Sequence, residues 1–336
     1  MIRGPFTMHA KLRVALSITL AGLCLLAGCG NSETTATVDG ASRTVTDVEG
    51  RSVEVPAEPK RIVVLSEPTL DGVLALGVTP IGAVTGRGQS TLPHYINDLA
   101  GEIPLLGGIA APNFELIGKA DPDLILVDGT SINNNAEQLK LLAAIAPTVN
   151  VGLAGGDWRD TFTRVADALN RVDQGAEVIA AYDQQVADAA ASLKGYDEQT
   201  FSVVRWQGGS AAMILNELPA GQALTDLGLR RPAAQDRRGR GHSEPVPLER
   251  LAEIDGDWMF FGTLGGSSVG NQNAGGTADT SGAEKAYREA VEVPGFEKLS
   301  AYRSGQVVLV DGSLWTSTGG PVLMQRLVAD IVKALG

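Results

Sequence analysis

Short, unbroken apolar runs alternate with amphipathic stretches along most of this chain. "RIVVLS" is a continuous apolar, β-branched run, and "PIGAV", "IPLLGG", "LILVDG" and "TVNVG" follow as further short strand-like runs within residues 61–152. That is the pattern of strands covered on both faces. Between them "TLDGVLALGV", "FELIGKA" and "NAEQLKLLAAI" have helical spacing and stop at a glycine, at "DPD" or at Pro147. Upstream, two Val/Thr runs flank Glu49-Gly50 in "RTVTDVEGRSVEVP", which predicts a hairpin.

The rhythm then breaks. Residues 160–195 are Ala-rich and charged, with no strand signal. They predict a short helix and then a long one over about Asp173–Lys194, roughly 33 Å at about 1.5 Å per residue. A helix of that length can carry the chain from one lobe to another. Afterwards "FSVVRW", "AMIL", "DWMFFG" and "QVVLVDG" read as strands. "AGQALTDLGL", "PLERLAEI", "AEKAYREAV", "GFEKLSAY" and "GGPVLMQRLVADIVKAL" read as helices, and "GGSSVGNQNAGGTADTSG" as a loop. Strands alternating with helices predict an α/β fold built on parallel sheets. At 336 residues the chain exceeds the size of one core, which favours two lobes.

The N-terminus follows a different plan. Arg3, Lys11 and Arg13 precede the uncharged apolar stretch Val14–Ala27, which is short for a membrane span and suits a secretory signal. Met8 is an alternative start, since the same basic, apolar and small-residue pattern follows it. Leu26-Ala27-Gly28-Cys29 resembles a bacterial lipoprotein cleavage box, in which the signal is cut before a cysteine that carries diacylglycerol. Two acyl chains suffice for stable membrane attachment. On this reading residues 1–28 are removed, and Cys29 with residues 29–43 forms a lipid anchor and polar tether. Cys24 leaves with the signal, so no thiol remains for a disulfide or metal site.

Charge and motifs narrow the function. Loss of Arg3, Lys11 and Arg13 leaves 24 basic against 39 acidic side chains. Such an acidic chain is unsuited to nucleic acid. No GxGxxG follows a strand, and GxxxxGK[ST], GxSxG and HExxH are missing. Only His94 and His242 remain after the signal, too few for a histidine cage, so no metal ligands are assigned.

Ligands of open α/β sheets sit beyond the carboxyl ends of strands. Arg87, Trp158, Arg205, Trp206 and Trp315 all fall there, and Tyr95 and His242 lie in loops. Aromatic faces with a few cations suit a bulky anionic or hydroxamate-wrapped iron complex. Each is equally a side chain that packs a lobe or faces solvent. Trp258, inside "DWMFF", reads as core. Arg237, Arg238 and Arg240 form a basic patch in a loop.

From the cleavage box through "VPAEPKRIVVLSEPTLDGVLALGV", "GGIAAPNFELIGKADPDLILVDG", "PLERLAEIDGDWMFFG" and "LSAYRSGQVVLVDGSLW", the chain resembles the ferric-siderophore and cobalamin type substrate-binding lipoproteins of ABC importers. The resemblance covers nearly all of residues 44–336. It implies two Rossmann-like α/β lobes, 44–170 and 196–336, joined by one rigid helix, 171–195. It implies a monomeric, non-enzymatic receptor with no cofactor, lipid-anchored on the outer face of the cell membrane. That receptor would bind a ferric siderophore and hand it to an ABC permease and its ATPase. Haem, cobalamin or another chelate is the alternative ligand; a partner-binding envelope role is the alternative function. Glu115 in "NFELI" and Glu249 in "PLERL" match the glutamates that such proteins offer to permease arginines. Asp71 stands where glutamate is common and is assigned no role.

Overall fold

The computed structural model describes residues 40–131, 135–266 and 276–336. The expected signal, Cys29 and nearly all of the tether lie outside the described residues, as do residues 267–275 of the Gly/Asn/Ser-rich loop.

The chain begins with β1 (Ser42–Thr46), β2 (Ser52–Pro56), β3 (Ile62–Val64), α1 (Glu67–Ala75), β4 (Gly82–Thr85), α2 (Asn97–Ala100) and β5 (Leu105–Gly108). It continues with β6 (Ala111–Pro112), α3 (Phe114–Lys119), β7 (Leu124–Val127), α4 (Ala136–Ile145) and β8 (Thr148–Asn150). Two helices follow, α5 (Trp158–Ala168) and α6 (Val172–Ser192). The remainder is β9 (Phe201–Gln207), β10 (Ser210–Met213), α7 (Pro219–Asp226), β11 (Glu244–Val246), β12 (Trp258–Gly262) and α8 (Thr280–Ala290). Last come α9 (Ser300–Arg303), β13 (Val307–Leu309), α10 (Gly312–Trp315) and α11 (Pro321–Leu335).

The β1–β2 hairpin forms in antiparallel register, with Gly50 at φ +79° in its turn. The first sheet has strand order β6-β5-β4-β3-β7-β8 and is parallel except for the two-residue β6. Its central strands β3 and β7 are buried at every position, which is why they read as continuous apolar runs.

The second sheet, β11-β10-β9-β12-β13, departs from the predicted parallel pattern. β9, β12 and β13 are parallel, but β10 and β11 turn back antiparallel. Gly208 and Gly209 explain the reversal. Both have positive φ, and Gln207 pairs with Ser210, a two-residue hairpin that only glycine-like residues enter easily. Two predicted helices also come out shorter. "PLERLAEI" is a 3₁₀ segment, Leu248–Ile254, kinked at Arg250, and "GFEKLSAY" divides into a 3₁₀ turn and α9.

The predicted long helix is α6, 21 residues between the two sheets in the chain. Its buried residues Gly175, Tyr182 and Ala189 recur every seventh position, a narrow stripe packed against α5 and α11. One apolar cluster joins the inner face of the first sheet, the helices and the inner face of the second; two more clusters cover the outer faces. All described residues belong to one compact unit.

Candidate functional site

Beyond the carboxyl ends of the first sheet's strands stand Glu67 after β3, Arg87 after β4, Gly129 and Thr130 after β7, and Ala154 after β8. Facing them from the second half are Arg205 on β9, Leu218 before α7, Gly241 and His242 before β11, and Ser317 and Thr318 after α10. All of these except Glu67 line one cavity of about 180 Å³. A smaller neighbouring hollow, about 30 Å³, shares Thr130, Leu218 and Thr318 and adds Asp128, Trp158 and Glu217. A larger hollow, about 650 Å³, lies elsewhere, among loops around Glu58, Lys60, Gly77 and Arg171 at the opposite ends of the strands. It lacks the convergence of both sheets, so the 180 Å³ cavity is the candidate site.

Arg205 reaches the cavity through strand periodicity. On β9 alternate residues point to opposite faces. Phe201 and Val203 join the inner apolar cluster and Arg205 follows them on that face, whereas Val204 and Trp206 join the outer one. Arg205 Nη1 donates to Ser243 Oγ at 2.8 Å and Nη2 donates to the Thr316 carbonyl. Its Nε is buried without a partner. Burial, and then the charge of Arg87, push Arg205 down to about 10.

Glu67, at the first position of α1 and only 2% exposed, ties the halves together. It accepts the Arg87 backbone N–H at 2.6 Å, Ser317 Oγ at 3.0 Å and Thr318 Oγ1 at 3.1 Å. The Arg87 guanidinium lies 3.9 Å from Glu67 Oε2 and keeps 35% of its side chain exposed. Asp128, buried and held by Thr130, has its carboxyl raised by desolvation. Glu217 accepts the backbone N–H groups of Gly239 and Gly241.

The rim is drawn together. His94 Nδ1 meets Asp311 Oδ2 at 2.5 Å, Ser313 Oγ accepts the Tyr95 N–H, and Arg238 donates to the Gly155 carbonyl. Gly155 has φ +69°, and a Cβ there would lie 2.4 Å from Gly241 Cα, so the two loops meet only as glycines.

The structure therefore brings Arg87, Arg205 and exposed His242 to one cavity. It sends the other candidates inward. Trp206 is fully buried between Phe261 and Phe296, and Trp315 stacks on Phe260 at 4.0 Å. Tyr95 is buried with its hydroxyl on Asp71 at 2.9 Å. Trp158 opens α5, edge-on to Tyr182, and touches only the smaller hollow. Glu115 and Glu249 are exposed, away from the cavity, and Glu115 pairs with Lys119 at 2.7 Å. Arg237 pairs with Glu244 at the surface. Reading only arginines and aromatics overlooked Glu67, Thr130, Ser317 and Thr318. Applying the strand-end rule to β3 and β7 would have found the first two.

Among the described residues, no three His, Cys, Asp or Glu side chains gather closely enough to hold a metal ion, and no helix is long and apolar enough to cross a membrane.

Residues 62–314 match the sequence profile of the family described as "Periplasmic binding protein". The probable siderophore-binding lipoprotein YfiY of Bacillus subtilis is 31% identical over 94% of this chain and 95% of its own length. The Fe(3+)-citrate-binding protein YfmC of the same organism is 26% identical over 97% and 98%. Among solved structures, Staphylococcus aureus SirA complexed with staphyloferrin B superimposes with a TM-score of 0.72 at 25% identity, covering 87% of this chain and 98% of that one. YfiY and YfmC are named as binding proteins. The chain belongs to the periplasmic binding protein family.

Proposed function

We propose that this family member is the substrate receptor of an ABC importer and takes up iron as a ferric chelate of the siderophore or citrate kind. The observation that carries the reading is the meeting of Arg87 and Arg205, one from each sheet, at a cavity beyond the strand ends. The relatives named for siderophores and Fe(3+)-citrate supply the ligand class.

The mechanism is capture without bond breaking. The cavity is smaller than the few hundred Å³ usual for ligand pockets, so the rim contacts part for entry. The two lobes, 44–170 and 196–336, then close around the chelate while α6, within 171–195, holds their spacing. Arg87, Arg205 and His242 contact the ligand. Tyr95, Trp158, Trp206 and Trp315 support the lobes from within. Iron arrives already wrapped, because the cavity presents cations and hydroxyls to a ligand surface. Cys29 carries the lipid that retains the receptor outside the cytoplasmic membrane. Glu115 and Glu249 dock to permease arginines, where rim charges set register and association rate.

Calorimetry of the purified chain against a panel of ferric chelates tests this. At least one should bind stoichiometrically, and Arg87→Ala with Arg205→Ala should abolish it. Tight stoichiometric binding of chelator-free iron, or no binding of any chelate, would overturn the reading.

A further inference from the structure

We propose that the cleft selects anionic ferric chelates bearing free carboxylates on a non-aromatic framework. Arg87 and Arg205 take those carboxylates, and Glu67 is the internal carboxylate against which they compete. This rests on the receptor reading above and goes beyond it by naming the chemistry of the ligand.

Three observations converge. First, Arg205 is held by neutral acceptors alone, a hydroxyl and a carbonyl, and its buried Nε has no partner. A desolvated guanidinium without a carboxylate is costly, and a bound anion supplies the missing partner. Second, Arg87 faces Arg205's half of the cleft with a 3.9 Å contact to Glu67 as its ion pair. Glu67's oxygens are largely occupied by Ser317, Thr318 and the Arg87 backbone N–H. One satisfied carboxylate thus stands beside two guanidiniums, which leaves room for a second anionic group. The planar fork of arginine matches a carboxylate with two parallel N–H bonds, which a point charge does not.

Third, the cavity lining holds no Phe, Tyr or Trp side chain among the described residues, and its one ring is the exposed imidazole of His242. Trp206 and Trp315 are fully committed to the cores, and Trp158 is buried beside the neighbouring hollow. A catechol ring would find no Phe, Tyr or Trp face to stack on, only the small imidazole of His242. An aliphatic chelate loses nothing by that arrangement.

The test is calorimetry of the full mature chain against three probes. These are ferric citrate, an anionic ferric tris-catecholate and a cationic ferric trihydroxamate. Ferric citrate should bind at least about tenfold more tightly than the other two. Arg205→Lys keeps the charge and loses the fork, and should weaken ferric citrate at least about tenfold with an unchanged melting temperature. If Arg205→Lys does not fold, Glu67→Gln gives the second measurement, with ferric citrate expected to bind several-fold more tightly. Equal affinity for all three probes, or preference for the catecholate or hydroxamate, overturns the proposal while the receptor reading stands. Full affinity in a folded Arg205→Lys, or unchanged affinity in Glu67→Gln, overturns the assigned roles. If no ferric chelate binds at all, the receptor reading itself fails.

Discussion

Asp71 Oδ2 accepts the backbone N–H of Leu323 at 2.9 Å, so a carboxylate on α1 caps the first turn of α11, the last helix of the chain. The other oxygen accepts the Val322 N–H, and Oδ2 also takes the Tyr95 hydroxyl. α11 has no side-chain cap of its own and starts at Gly320-Pro321. A Cβ on Gly320 would lie 2.8 Å from Asp71 Oδ1, which is how the carboxylate approaches the helix end. Negative charge at a helix N-terminus also meets the favourable end of its dipole.

Asp71→Ala should therefore destabilise the protein markedly. It leaves two buried N–H groups and a tyrosine hydroxyl unpaired, a cost of about 2–4 kcal/mol. The melting temperature should fall by several degrees, and Asp71→Asn should recover only part of it. A melting temperature unchanged in Asp71→Ala would contradict the capping role.

Trp206 separates core from cleft. Trp206→Ala should cost about 3–5 kcal/mol, since it empties a site closed by Phe261 and Phe296. Trp206→Phe should keep ligand affinity within about threefold of the parent, because the ring lies on the face of β9 opposite Arg205. Loss of affinity in a folded Trp206→Phe would show that the outer face reaches the ligand.

Asp279 gives a pH dependence. Its carboxylate caps α8 through the Gly282 N–H and accepts the hydroxyls of Ser281 and Thr277, which lower it to about 2. A depressed carboxyl stabilises the fold above its unfolded value near 3.8, and that contribution is lost as pH falls through about 2. The melting temperature of the parent should exceed that of Asp279→Asn at pH 7, and the gap should close between about pH 4 and 2. A gap independent of pH would rule out the ionised cap.

Glu115 and Glu249 bear on delivery. Glu115→Lys and Glu249→Lys should each reduce iron-chelate uptake by cells while the purified variants bind the chelate as the parent does. Both side chains are exposed, so both variants should stay folded, with Glu115→Lys losing at most a few degrees of melting temperature from its lost pair with Lys119. Normal uptake by the double variant would remove them from the docking face.

Much of the architecture was legible because burial on both faces leaves a plain mark. β3 and β7 read as unbroken apolar runs, and α6 as a long stretch without turn signals. The hairpin at Gly208-Gly209 leaves an equally local mark, two adjacent glycines between apolar runs, and it turns β10 antiparallel to β9.

The order of strands and helices, the long helix α6 and the arrival of Arg87 and Arg205 at strand ends were determined by local pattern, because periodicity and turn chemistry act over a few residues. Which of two neighbours faces the cleft was not. Arg205 and Trp206 are adjacent and both end a strand, and only the pairing of β9 with β10 and β12 decides that the arginine points in and the tryptophan points out. Glu67 and Asp71 became meaningful only when partners about 250 residues away, Ser317 and Leu323, were brought against them. A hydrogen bond across that separation leaves no local trace, because its geometry exists only once the halves have closed on each other.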